Sequence, residues 1–180
     1  ECLKNSTGDI IFLLDSDDYF HKKKVSYFVR LFEKNKVDLI CDLPIERYPN
    51  YQTKIKLKKK LFKTFWPYQP PTSCIAIRRK IFFETLKKID FKIYPDIWLD
   101  FRIIIAAIYL KLKYLYVDQN LTFYRKLDGS ASSKFKYFSI NWWRRRSQAH
   151  DYVKFFFEKY KINYKKDYDY FITKFVNFFI

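Results

Sequence analysis

Residues 9–14 (DIIFLL) form a short, unbroken apolar run that ends abruptly in Asp15, Ser16, Asp17 and Asp18. A run of that length and composition reads as a strand buried on both faces. A helical pattern follows it at Val25, Phe28, Val29, Leu31 and Phe32. In open α/β sheets, ligands gather beyond the carboxyl ends of the strands, which is where these carboxylates fall. The alternation continues with apolar runs at residues 37–41 and 72–77, the second leading through Arg78 and Arg79 into a helix with Phe82, Phe83 and Leu86 on one side. Residues 44–60 are polar, Tyr-rich and basic, and read as a long loop or irregular hairpin. Pro95 and Asp96 open the clearest helix, running to about Leu112, with a proline and an acidic residue in its first turn. Two short strands are expected at 115–117 and 121–124, and everything from about Phe138 reads as helical and aromatic. The pattern predicts an α/β fold, a mostly parallel sheet flanked by helices, with a helical C-terminal extension.

Composition narrows the chemistry. The 180 residues include two glycines, Gly8 and Gly129, where average usage would give roughly a dozen. A P-loop or a GxGxxG dinucleotide fingerprint is therefore excluded. Any phosphate must be held by a metal ion, by side chains or by a helix N-terminus. An apolar fraction of 49% with 22% aromatics excludes a disordered tail. The net charge of +17 comes mostly from lysines spread along the chain, beside an excess of Ile, Phe, Tyr and Asn. That is the residue set an AT-rich genome encodes, so nucleic acid is the weaker reading of the charge. An anionic membrane surface is the better one: Trp142 and Trp143 precede Arg144, Arg145 and Arg146, interfacial aromatics beside cations. A partly buried helix with a solvated basic face stands equal with it. Cys2, Cys41 and Cys74 are odd in number and widely spaced, which suits reduced thiols in the cytoplasm and not zinc. The apolar run 103–110 is too short to span a bilayer. A chain that starts at Glu1 and holds no methionine is expected to lack its own beginning.

Extended backbone would point Asp15 and Asp17 the same way. Two hard oxygen donors on one side suit Mg²⁺ or Mn²⁺, and such an ion neutralises a departing diphosphate. The same residues also fit a plain acidic turn with an Asp capping the next helix. An EF-hand fails, because Phe20 and Ser26 stand where a glycine and a glutamate are needed. A dehalogenase-type phosphatase with Asp15 as nucleophile is weakened by Tyr19, which stands where Thr or Val is expected. His21 reads as an exposed loop residue or an outer neighbour of the acidic cluster, and His150 as an ordinary packed or solvated helical residue.

Four blocks in order resemble family 2 glycosyltransferases. Residues 8–20 resemble the family's apolar strand followed by D-x-D-D. Pro71, Thr72 and Ser73 with Ile75, Ile77, Arg78 and Arg79 resemble its mid-domain strand, which faces the sugar-binding side. Asp96, Ile97, Trp98 and Leu99 resemble the helix start that bears the catalytic base. Leu121, Thr122, Phe123, Tyr124 and Arg125 resemble the strand that closes the catalytic domain.

The resemblance implies a GT-A fold, a nucleotide-sugar donor and a divalent metal. Asp15 would approach ribose and metal, Asp17 would bind the metal, and Thr72, Ser73 and Arg125 would line the donor side. Asp96 would be the general base for an inverting displacement, with Asp100, placed one turn on along the same helix face, as its rival. Trp98 would stack on a sugar ring or pack in the core. The resemblance further implies a glycan or lipid-linked glycan acceptor, single-sugar transfer (no Q-x-x-R-W is present), and a cytoplasmic place on the inner face of a membrane. Many members carry a metal-binding histidine after the Y-R pair; here Asp128 or a water would have to substitute. Residues 1–133 would be the C-terminal two-thirds of a catalytic domain and 134–180 an aromatic-rich extension. The family's first strands are expected before Glu1, so this chain alone would transfer weakly or not at all. The competing functions are the phosphatase and a non-catalytic basic module for membrane or nucleic acid.

Overall fold

A computed structural model describes residues 3–56, 68–127, 129–130 and 132–180. The strands are β1 (Ile10–Phe12), β2 (Tyr19–Phe20), β3 (Leu39–Cys41), β4 (Pro44–Arg47), β5 (Gln52–Lys54), β6 (Ile75–Arg78), β7 (Tyr114–Tyr116) and β8 (Thr122–Arg125). The helices are α1 (Lys24–Asn35), α2 (Arg79–Lys88), α3 (Leu99–Tyr109), α4 (Ile140–Lys159) and α5 (Tyr168–Phe178). Single 3₁₀ turns occupy Thr72–Cys74 and Ser133–Phe135.

Two mixed sheets result, in the orders β1-β6-β3-β7 and β2-β8-β4-β5. Among the described strands only β3–β7 and β4–β8 run parallel; the other pairings are antiparallel. This corrects the expectation of a mostly parallel sheet. Continuous apolar runs report burial on both faces and carry no information on direction. In β3 and β6, Leu39, Cys41, Ile75 and Ile77 face one core with α2, α3 and α4, while Ile40 and Ala76 face another with α1. Helices cover both faces, so both strands are wholly apolar whichever way they run. β1 differs from expectation too. It is the end strand of the described sheet, half-buried, and Leu14 beyond it is 51% exposed.

α1 sits as its periodicity predicts, with Phe28 and Phe32 fully buried, each such ring contributing roughly 1.5–3 kcal/mol. The polar segment after β3 forms the β4–β5 hairpin, and its part beyond residue 56 lies outside the described residues. α3 starts four residues later than expected, with Trp98 as its N-cap. The reason is Arg102, only 2% exposed. Its guanidinium donates to the carbonyls of Asp90, Ile93 (2.9 Å), Tyr94 (2.8 Å) and Ile97 (2.9 Å). Those acceptors are thereby satisfied in a loop, with Tyr94 at φ 55°, and need no helix. α4 lays Tyr152, Val153 and Phe156 into the same core as α3. α5 folds back along α4, joined by Asn177 to the Trp143 carbonyl at one end and Asp169 to His150 at the other.

Candidate active site

The acidic loop is built on Ser73. Leu13 N–H donates to Ile75 O (3.1 Å), and the chain then turns, with Asp18 N–H donating to Asp15 O (3.1 Å). Beneath this turn the Ser73 hydroxyl accepts from Asp15 N–H (3.0 Å) and donates to Asp18 Oδ2 (2.6 Å). Asp18 Oδ1 accepts from Arg125 N–H (2.9 Å). Asp18 is thus buried and occupied at both oxygens. The carboxylates of Asp15 and Asp17 have no hydrogen bond or ion pair among the described residues. They share a turn rather than an extended strand, so alternation is not what brings them together. Lost hydration, then the charges of Asp18 and Asp17, raise the Asp15 carboxyl above its ordinary range. Burial raises Asp18 against the opposing hydrogen bonds from Ser73 and Arg125 N–H. Ser73 itself is fully buried. Its hydroxyl lies under the acidic turn and supports it. Thr72 is half-buried beside it and the Arg125 side chain is exposed.

A second group of charges answers the first. Burial pushes the Asp100 carboxyl up to about 6, opposed by the Phe101 N–H and by Arg145, and the charge of Asp15 pushes it further up. Arg145, lowered by burial, feels both Asp100 and Asp96. The Tyr124 hydroxyl is raised by burial and by the charges of Asp18, Asp100 and Asp15, against a hydrogen bond with Ser132. Asp96 lies before α3, so it and Asp100 do not share a helix face as the sequence suggested. It is held from α4: Gln148 Nε2 donates to Asp96 Oδ2 (2.9 Å) and Gln148 Oε1 accepts from Asp96 N–H (3.3 Å). The other oxygen is 3.9 Å from Lys134 Nζ. Trp98 packs edge-on to Phe135, and the Arg145 guanidinium covers one face of its ring at 3.7 Å.

Sequence reading missed the group that ties these parts together. Lys24 and Asp42 are both fully buried and ion-paired at 3.0 Å. Lys24 Nζ also donates to Ser73 O (2.7 Å) and Thr122 Oγ1, and lies 4.3 Å from the Phe20 ring centroid. Asp42 accepts from Leu121 N–H (2.9 Å) and from Thr122. Burial raises Asp42 while Lys24 opposes the shift. One buried charge pair therefore joins the two sheets to the turn that carries Asp15 and Asp17. A lysine at the first position of a helix looks solvated in sequence, and no local signal marks its burial.

The basic run after Trp143 is not one surface. Successive helical residues point about 100° apart, so Arg145 faces the acidic cleft, Arg146 pairs with Asp169, and Arg144 reaches Ile180 O (3.2 Å) at the surface. His21 accepts at Nδ1 from Lys23 N–H (3.2 Å). His150 is buried, with Nε2 2.7 Å from Asp169 and Nδ1 3.3 Å from Tyr164 Oη. His150, Asp167 and Asp169 bring ligand atoms within 4.8 Å of one another. There Asp169 also bridges Arg146 and His150, and Asp167 caps α5 through Tyr170 N–H (2.9 Å), so the set joins two helices. Cys41 and Cys74 are free and buried, and burial raises both thiols. Cys2 and Asp128 lie outside the described residues.

The family model for glycosyl transferase family 2 matches residues 1–112. No curated protein sequence matches the chain. Among solved structures the chain is similar to S. aureus TarS 1-349 in complex with UDP-GlcNAc, with 15% identity, a TM-score of 0.53, and coverage of 82% of this chain and 43% of that one. It is also similar to S. aureus TarS 1-349 alone, with 11% identity, a TM-score of 0.49, and coverage of 84% and 58%. The TarS 1-349 complex with UDP gives 12% identity, a TM-score of 0.46, and coverage of 87% and 49%. The first likeness shows a shared fold. The chain spans less than two thirds of each TarS chain it matches.

Proposed function

The chain belongs to glycosyl transferase family 2, and on that premise we propose that it takes part in moving one sugar from a nucleotide-diphosphate donor to a hydroxyl of a cell-surface glycan or lipid-linked glycan. Its fold is the GT-A-like one expected from the resemblance. The family match favours this reading over a dehalogenase-type phosphatase. The single observation that carries it is the contrast within the acidic turn: Asp18 has a hydrogen bond at each oxygen, while Asp15 and Asp17 crowd each other with no compensating cation among the described residues. Hard, mutually repelling oxygen donors are a fitting seat for a divalent ion. Asp15 and Asp17 would hold Mg²⁺ or Mn²⁺, which when bound supplies neutralisation of the leaving diphosphate.

The remaining roles fall to the chain's own groups. Asp96 is the general base of this proposal. The two-point clamp from Gln148 orients its carboxylate, and a positioned carboxylate takes the acceptor hydroxyl's proton as the bond to the anomeric carbon forms. With base and leaving group on opposite sides of that carbon, the displacement inverts configuration. Asp100 is the rival base, and Arg145 opposes the rise of its carboxyl. Tyr124 and Arg125 border the acidic turn on the donor side. A UDP-sugar is the first donor to test, since the TarS structure with the higher TM-score holds UDP-GlcNAc.

Melting curves with Mn²⁺, UDP and both together test the proposal. Joint addition is expected to raise Tm, by about 2.7 kcal/mol of stabilisation at one hundred times Kd, and Asp17→Asn is expected to abolish the gain. A joint effect of equal size in Asp17→Asn overturns it.

A further inference from the structure

α5 is amphipathic with its sides reversed. The side packed on α4 is polar: Asp169 meets Arg146 and His150, Lys174 Nζ donates to Ser147 Oγ (2.8 Å) and Asp151 (2.7 Å), and Asn177 Nδ2 donates to Trp143 O (3.0 Å). The side turned outward carries Tyr168, Phe171, Ile172, Phe175 and Phe178 at helical spacing, followed by Phe179, and every one is more than half exposed. A surface helix ordinarily does the opposite. Five aromatic rings and an isoleucine present on the order of 500 Å² of apolar surface, at the upper end for a monomer, and patches of that size mark interaction sites.

We propose that this face lies on the surface of an anionic lipid bilayer. Charge selects the partner. Lys165 and Lys166 are exposed just before α5, and exposed Arg144 stands at its far end, so cations bracket the apolar stripe. Tyr137, Phe138 and Ile140 are also exposed, and Phe138 packs on Trp143, whose carbonyl accepts from Asn177 of α5. A second copy would bring another +17 against the first and be repelled, whereas anionic head groups attract it, at about 1 kcal/mol per cation near the surface. Among the described residues no helix is long and apolar enough to cross a membrane. α5 therefore lies in the plane of the interface, rings at the boundary between head groups and acyl chains and cations among the phosphates. This surface shares Arg144 with the basic run the sequence suggested but is centred on α5, and it does not depend on the donor chemistry.

Co-sedimentation of the full chain with phosphatidylcholine vesicles, with and without phosphatidylglycerol, tests the proposal. Binding is expected with phosphatidylglycerol and is expected to weaken as salt is added. The combined Phe171→Ser, Phe175→Ser and Phe178→Ser variant is expected to bind at least about tenfold more weakly with its melting temperature unchanged, since all three rings are exposed. Should that variant fail to fold, Lys165→Glu with Lys166→Glu carries the test through loss of binding with an unaltered circular-dichroism spectrum. The proposal is overturned if the unaltered chain ignores phosphatidylglycerol vesicles, or if a folded variant binds as well as the original. It is equally overturned if the rings instead drive a dimer, detected by sedimentation equilibrium and lost in the serine variant, without vesicle binding.

Discussion

Two carboxylate centres share Ser73 and differ in how their charge is met. At Asp42 the chain supplies its own cation: Lys24 stands 3.0 Å away, both are fully buried, and Thr122 and Leu121 N–H complete the shell. At Asp15 and Asp17, on the other side of Ser73, the neighbours are further carboxylates and the charge stays open among the described residues. A closed centre of this kind holds a fold together. An open one is tolerable only at a surface where something else brings the positive charge. On the proposed function, the difference separates a structural pair from a binding site.

The largest expected effect strikes the closed centre. Lys24→Met leaves Asp42 buried without its cation and is expected to cost about 3–5 kcal/mol in urea unfolding. Adding Asp42→Asn should restore part of that loss. Equal stability of Lys24→Met and the original chain would break the contrast.

Next in size is the base. In an enzyme active on a UDP-sugar, Asp96→Asn is expected to lower kcat by about 10²–10⁴-fold while donor binding by calorimetry stays nearly constant. Unaltered turnover would pass the role to Asp100.

The open centre should respond with the opposite sign to the closed one. Asp17→Asn removes a like charge that raises Asp15, so without divalent ions it is expected to stabilise the chain slightly, by about 0.5 kcal/mol. A loss of stability would mean that Asp17 has a structural partner.

The last test is a slope. The Asp100 carboxyl sits near 6, above the ordinary 3.8. The folded state therefore binds more protons than the unfolded one between about pH 4 and 6, and stability falls as pH rises through that window. Asp15, Asp18 and Asp42 are raised as well and add to the fall. Urea midpoints at pH 5 and 7.5 are expected to differ less in Asp100→Asn than in the original chain.

Much of this was legible in residue order. Phe28 and Phe32 repeat at helical spacing, and the acidic residues follow an apolar run, so α1 and the loop after β1 could be placed from local pattern alone. The absence of a glycine loop had already directed attention to carboxylates. Strand direction could not be read, because periodicity in β3 and β6 reflects helices on both faces and is the same for either direction. Nor could the start of α3 at Leu99 rather than Pro95, because the burial of Arg102, whose guanidinium takes up the carbonyls of the preceding loop, has no local signature.

What the sequence by itself determined was the alternation of strands and helices, the position of Asp15, Asp17 and Asp96 along the chain, and the family resemblance that joins them. Those depend on neighbours a few residues apart, whose periodicity and turn chemistry are local. Only the tertiary structure decided that Lys24 is buried, that Gln148 and Arg145 of α4 reach the carboxylates ahead of and within α3, and that α5 turns its rings outward. Each of these depends on which distant group comes within hydrogen-bonding or stacking range, and the free energy of burying a charge or exposing a ring is set by that three-dimensional neighbourhood, not by the order of residues around it.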